Sequence, residues 1–172
     1  MTTPAPAPAV PLLQRLLIGR SPKRTLLRAA ATALTAFIVF KFVLIPVRIA
    51  GESMTPAYRD GSVNCINRLA YHWRVPRRGD VVAVRTSGIH NMFFKRIIAL
   101  PGETVSITNG LVHIDGQPLA EPYVKEREAW QLPPRHLEVD EYFLIGDNRG
   151  MTQERHTFGV AEAKRIVGKV LW

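Results

Sequence analysis

Two hydrophobic patterns divide this chain. From Leu26 to Val47 apolar residues run almost unbroken, with Arg28 near the start and Lys41 toward the end. About 20 such residues cross a bilayer as a helix, so the run predicts a transmembrane anchor over 26–47. Lys41 lies off-centre, where its stem can carry the ammonium to the interface, and Pro46 marks a stop. Two other readings fit the same run. A cleaved signal peptide would share the basic start and apolar core, but cleavage near Ala50 would strand Ser53 at a new terminus. A buried core helix would need cover that nothing nearby offers.

Past residue 50 the pattern shortens to a period of two, which predicts strands. They fall over Val63–Asn67, Asp80–Val84, Met92–Leu100, Thr104–Ile107, Leu111–Ile114, Tyr142–Ile145 and Ile166–Leu171. Thr108-Asn109-Gly110 sits between two of them, and Asn-Gly there is a strong hairpin signal. Arg78-Gly79 and Asp115-Gly116 mark further turns. Val160–Arg165 suggests a helical turn, and Glu121–Arg135, with Trp130 and Pro133-Pro134, reads as a long surface loop. The expected fold is mainly β: a compact antiparallel, barrel-like domain over 48–172 behind one N-terminal transmembrane helix. Residues 1–25, Pro/Ala-rich and then basic, form the expected disordered cytoplasmic tail.

Charge sharpens this division. The chain holds 23 Lys+Arg against 14 Asp+Glu in 172 residues, which resembles a nucleic-acid binder until it is mapped. No acidic residue precedes Glu52, and seven basic ones do: Arg15, Arg20, Lys23, Arg24, Arg28, Lys41 and Arg48. The remainder, 16 basic and 14 acidic, is nearly neutral. A basic leader before an apolar run is a topology signal; it puts the N-terminus in the cytoplasm and the body outside. Nucleic acid is therefore not an expected partner. The single Cys65 excludes an internal disulfide and cannot alone build a cysteine-ligated metal site. It reads as a small core residue.

Ser53 follows the apolar run directly, in Gly51-Glu52-Ser53-Met54-Thr55-Pro56. A serine hydroxyl attacks well only with a base in reach. His72, His90, His113 and His136 stand in turn-like or outward-facing contexts. His156 lies closer to an interesting run, which keeps a Ser53–His156–Asp147 arrangement open, although no nucleophile-elbow sequence surrounds Ser53. Lys95 is the other candidate. It interrupts the apolar strand Met92–Leu100, and alternation sends Lys95 and Arg96 to opposite sides, so at least one meets the core or a cleft. Burial disfavours an ammonium and lowers its pKa toward the range of a working base. A snorkelling lysine at a sheet edge is the competing reading. Gly146–Gly159, taken alone, is turn chemistry.

Together these clusters resemble the bacterial type I signal peptidases, the Ser/Lys family of serine endopeptidases. Ser53-Met54-Thr55-Pro56 is similar to the nucleophile box and Arg78-Gly79-Asp80-Val81-Val82 to the next. Lys95 through Glu103 resembles the general-base box. Gly146-Asp147-Asn148-Arg149, with Phe158-Gly159, resembles the last. The resemblance implies Ser53 as nucleophile, Lys95 as general base, and Thr152 as the hydroxyl orienting that lysine. The Ser53 backbone N–H, in the region of Gly51, would line the oxyanion hole. Asp147, Arg149, Glu154 and Arg96 would support the site, and Ile49, Met54, Phe93 and Phe94 would form shallow pockets for an Ala-x-Ala rule. It further implies exported preproteins as substrates, the lipid bilayer and the translocation machinery as partners, a cell-membrane location, and no metal or organic cofactor. A dedicated substrate for the same chemistry, or an inactive β-domain binding envelope proteins, are the rival readings.

Two departures stand out. Gly51 occupies a place where some relatives carry a serine that donates to the oxyanion. The closing stretch Thr152-Gln153-Glu154-Arg155-His156 departs from Ser-x-Asp-Ser-Arg. Histidine for arginine weakens an expected ion pair there, and Glu154 could instead meet Arg96 or Arg155.

Overall fold

The computed structural model describes residues 21–85, 92–157 and 159–171. Most of the expected tail, His90 and Phe158 lie outside these residues. By internal contacts the chain forms two units, 1–41 and 42–172.

In the first unit, helix α1 covers Pro22–Ile38 and continues as a wider π-helical turn, Val39–Val43, into the second. Pro22 opens it, where a missing N–H costs nothing. The helical run Pro22–Val43 is long and apolar enough to cross a membrane, and none of its residues is buried. It ends four residues before the expected limit. Leu44–Arg48 is strand β1, paired antiparallel with β2 (Val63–Asn67) from Leu44↔Asn67 to Arg48↔Val63. Val43, Ile45 and Val47 suit a strand as well as a lipid-facing helix, and Pro46 is tolerated because β1 is an edge.

The second unit is two antiparallel sheets. β3 (Val81–Arg85), β4 (Met92–Ala99), β9 (Glu141–Ile145), β10 (Gly159–Glu162) and β11 (Ile166–Leu171) join the first two strands in the order β1-β2-β11-β3-β4-β9-β10. The smaller sheet runs β7-β6-β5-β8, from β5 (Thr104–Thr108), β6 (Leu111–Ile114), β7 (Gln117–Pro118) and β8 (Leu132–His136). The β5–β6 hairpin turns on Asn109 and Gly110, both at positive φ (49° and 76°), the geometry that favours Asn-Gly.

Three apolar clusters hold the sheets. One joins both, packing Ile98, Phe143 and Ile145 with Val105, Ile107, Val112 and Trp130. The second sets Ile49, Met54 and Phe94 against Val81, Ala83 and Val170. The third gathers Val82, Val84, Ile97, Tyr142 and Leu144. With β3 buried on both faces, its near-continuous Val-Val-Ala-Val run is explained.

Two local expectations need refinement. Glu121–Arg135 is mostly exposed, as expected of a surface loop, but Glu121, Val124 and Trp130 are buried and β8 begins within it. Its two prolines are accommodated because β8, too, is an edge. Val160–Arg165 divides evenly: Val160–Glu162 belong to strand β10, and Ala163–Arg165 form the expected helical turn, as a 3-10 helix.

Candidate active site

Ser53 lies in a tight turn behind Ile49, whose backbone is pinned on both sides by Ser62 and Gly61 (2.9 Å each). Asn148 fixes the turn from across the molecule. Its backbone N–H donates to the Ser53 carbonyl at 3.1 Å and its side-chain amide to the Glu52 carbonyl at 3.1 Å. Gly146, two residues earlier, packs so tightly that a Cβ built on it would stand 2.1 Å from the Ser53 carbonyl oxygen. The strand end of β9 and the serine turn are thus one built unit.

Lys95 stands on β4, which pairs with β9 up to the residue before that glycine. The β4–β9 register places Arg96 opposite Ile145, and carrying that register on by one residue sets Lys95 beside Gly146. Lys95 is only 4% exposed and makes no ion pair among the described residues. Burial pushes its pKa down to about 8, against a partly opposing pull from Asp147. The carboxylate that would restore it is already engaged: Arg96 donates to both Asp147 oxygens, at 2.8 and 2.6 Å. Alternation has separated two neighbouring cations, one paired and stacked over the Tyr123 ring at 4.1 Å, the other dry. No hydrogen bond joins the Ser53 hydroxyl to the Lys95 amine in this structure, a bond that in substrate-free sites often forms only on binding.

A cleft of about 340 Å³ opens beside the serine. It is lined by residues 47–51, Arg48 among them, with Ser53 and Met54, and by Met92, Phe93 and Phe94 of β4. It brings together Ser53 and the four residues expected to form pockets.

Other expected residues are placed differently. Thr152 is exposed at the head of the 3-10 turn Gln153–Arg155 and makes no capping bond, so the structure does not bring its hydroxyl to Lys95. The reason is Gln153, which bonds the Gln131 backbone in both directions (2.9 and 3.0 Å) and holds this turn outward. The group lodged by the lysine is His156, 4% exposed, its ring tilted at 59° against Trp130 with centroids 4.8 Å apart, and accepting the Gly146 N–H at Nε2 (3.0 Å). Burial, Lys95 and Arg149 together push its pKa down to about 3. Its Nε2 lone pair and both Asp147 oxygens are committed elsewhere, which leaves the Ser53–His156–Asp147 arrangement without a base or an orienting acid.

Arg149 is a structural cation. Its guanidinium reaches Glu121 at 2.6 Å and the Gly146 carbonyl at 2.8 Å, with both side chains almost wholly buried. Glu154 is exposed and does not pair with Arg96. The Gly51 N–H is also committed, to Asp60 at 2.8 Å, and cannot face an oxyanion. The Ser53 N–H has no acceptor among the described residues.

Sequence reasoning passed over Glu121, Asp60 and the packing role of Gly146. Only the last had a visible signal, a glycine opening Gly-Asp-Asn at a strand end. Among the described residues no group of three His, Cys, Asp or Glu side chains could hold a metal ion.

A serine on a pinned turn, a buried lysine on β4 and a mixed polar and apolar cleft beside the serine all belong to the β-rich unit. Residues 23–172 match the family model described as signal peptidase, peptidase S26, and the chain belongs to that family. Among curated proteins it is 33% identical over 145 residues to a probable signal peptidase I-1 of Synechocystis sp., covering 80% of this chain and 74% of that one. It is 33% identical over 131 residues to a signal peptidase I of Leptolyngbya laminosa, covering 72% of this chain and 64% of that one. A signal peptidase IB of Staphylococcus aureus is 29% identical over 152 residues, 78% of this chain and 79% of that one. A solved signal peptidase I from Enterococcus faecalis aligns with a TM-score of 0.47 at 25% identity, over 57% of this chain and 98% of that one.

Proposed function

We propose that the protein is a membrane-anchored endopeptidase that removes N-terminal signal peptides from exported preproteins, cutting after small residues. Ser53 attacks the scissile carbonyl, and neutral Lys95 takes its proton as the bond forms. The oxyanion accepts the Ser53 N–H. The Lys95 ammonium then protonates the departing amine, leaving an acyl ester on Ser53. Water, deprotonated by the same lysine, releases the signal peptide and restores the hydroxyl. An extended substrate would lie along the cleft and place alternate side chains against Ile49, Met54, Phe93 and Phe94. Little depth there favours an Ala-x-Ala pattern.

The basic residues Lys23, Arg24 and Arg28 at the start of the helix favour a cytoplasmic N-terminus in the cell membrane, with the β-rich unit outside. Preproteins delivered by the translocation machinery would then meet the site at the lipid surface, where the span raises their effective concentration.

The observation that carries the reading is Lys95: 4% exposed, without an ion pair among the described residues, and one residue past the Arg96↔Ile145 pair that leads to the glycine packed on Ser53. With a pKa of about 8, roughly a tenth of it is neutral at pH 7, against about three parts in ten thousand for an ordinary lysine. Cleavage of an Ala-x-Ala preprotein should be abolished in Ser53→Ala and Lys95→Met. In the wild type the rate should rise with pH through about 8 and then level. An active Lys95→Met, or a profile governed by a group titrating near pH 6–7, refutes the dyad.

A further inference from the structure

β1 reaches the cleft as an edge strand, with β2 on one side and no strand on the other among the described residues. Across the cleft, Met92–Phe94 pair with β3, and β9 joins β4 only from Arg96 onward. An extended peptide between these two edges can pair with both backbones. Its side chains then alternate in step with theirs.

The apolar pockets use only one of the two faces this creates. Ile45, Val47 and Ile49 pack into the second apolar cluster. Alternation sets Pro46 and Arg48 on the opposite face, and both are exposed. Substrate side chains on the face of Val47 and Ile49 meet the pockets. Under the Ala-x-Ala rule proposed above, these are the first and third residues before the cut. The second and fourth share the face of Arg48.

Arg48 is tethered at the cleft wall. Its Nε donates to the Gly61 carbonyl at 3.2 Å, and a Cβ built on Gly61 would stand 3.7 Å from its Nη2. The Gly61 N–H in turn donates to the Ile49 carbonyl at 2.9 Å, which ties the cation to the wall it flanks. Arg48 has no carboxylate partner among the described residues. Asp60, the acid beside Gly61, gives Oδ1 to the Gly51 N–H at 2.8 Å. The outer donors of the guanidinium thus remain for a carboxylate brought by the substrate.

We propose that Arg48 is a specificity-determining residue that reads charge on the substrate face turned away from the pockets. It favours an acidic side chain at the second or fourth residue before the cut and disfavours a basic one there. Small side chains are selected by shape on one face, and charge is selected on the other. This rests on the endopeptidase reading above.

The test uses the full chain in detergent micelles and quenched fluorescent Ala-x-Ala peptides, with Glu or Lys as the second residue before the cut or as the fourth. Within each enzyme the readout is the ratio of kcat/KM for a Glu peptide over its Lys twin, so a general loss of activity or folding cancels. The wild type should favour Glu by about fivefold at one of these positions, the scale of an exposed ion pair set against a like-charge contact. The ratio should fall toward one in about 1 M salt, where screening acts within roughly 3 Å. Arg48→Gln should bring it near one, and Arg48→Glu should invert it. A wild-type ratio near one at both positions overturns the proposal, as does an Arg48→Glu enzyme that keeps the wild-type ratio. So does a preference for Lys, which would assign this face to the exposed carboxylates of Glu52 or Asp60. Peptides left uncut by the wild type overturn the endopeptidase reading itself, and the proposal falls with it.

Discussion

Adding a single methyl group at Gly146 should disable the site. A Cβ there would stand 2.1 Å from the Ser53 carbonyl oxygen and 2.7 Å from Cε1 and Nε2 of His156. Real contacts of this kind settle beyond roughly 3 Å, so the serine turn, the imidazole or both must retreat by about 1 Å in a close-packed interior. The imidazole is backed by Trp130 and the serine turn is pinned by Asn148. Overpacking of this sort costs typically 1–3 kcal/mol of stability. A displacement of about 1 Å in the nucleophile costs on the order of 100-fold in rate. Gly146→Ala should therefore lose about two orders of magnitude in kcat/KM on a preprotein while still unfolding cooperatively. Gly150→Ala is the control. Its Cβ would meet the carboxylate and Cβ of Glu126 at 3.0–3.1 Å and Asn148 Oδ1 at 3.8 Å, contacts that ask for far less movement than the 2.1 Å approach at Gly146. Its activity should stay within about threefold of wild type, and a Gly146→Ala enzyme equally active would refute the packing argument.

Two further outcomes concern stability. Lys95→Met should unfold at higher denaturant than the wild type at pH 7, because lowering the lysine pKa from 10.5 to about 8 costs the folded state about 3 kcal/mol. The sign fixes a pH window. Between about 8 and 10.5 the unfolded chain binds the proton that the folded chain has released, so wild-type stability climbs across that window. The Met variant should lack the climb; a curve parallel to the wild type would refute the assignment. Glu121→Ala leaves the Arg149 charge, 2% exposed, without its partner, and should cost about 3–5 kcal/mol in urea unfolding. A loss under about 1 kcal/mol would show that the guanidinium finds another acceptor.

What could be read from the chain depended on how local each signal was. The Asn109-Gly110 hairpin was legible because two positive-φ positions admit few residues. β2 and β11 matched expectation to the residue, since alternation and turn punctuation agreed there. β1 was hidden: Leu44–Arg48 is as apolar as the helix before it, and hydropathy does not separate a lipid-facing turn from a paired strand. β8 was hidden by its prolines, which argue against a strand except at an edge, and edges are a property of topology. At the site, Ser53 and Lys95 stood out because each breaks an apolar context. The Arg149–Glu121 pair did not, because 28 residues and no periodicity separate its members. The exposed setting of Thr152 was hidden for a like reason: its neighbour Gln153 answers to Gln131, a contact no local pattern announces.

Arg96 carries a consequence for when the enzyme works. By occupying both oxygens of Asp147 it keeps the one carboxylate that raises the Lys95 pKa from becoming a salt-bridge partner of that lysine. Removing the guanidinium would free the acid to recruit its neighbour instead, and the amine would hold its proton to more alkaline pH. If Lys95 is the general base proposed above, the arginine would set its pH threshold by monopolising a competitor.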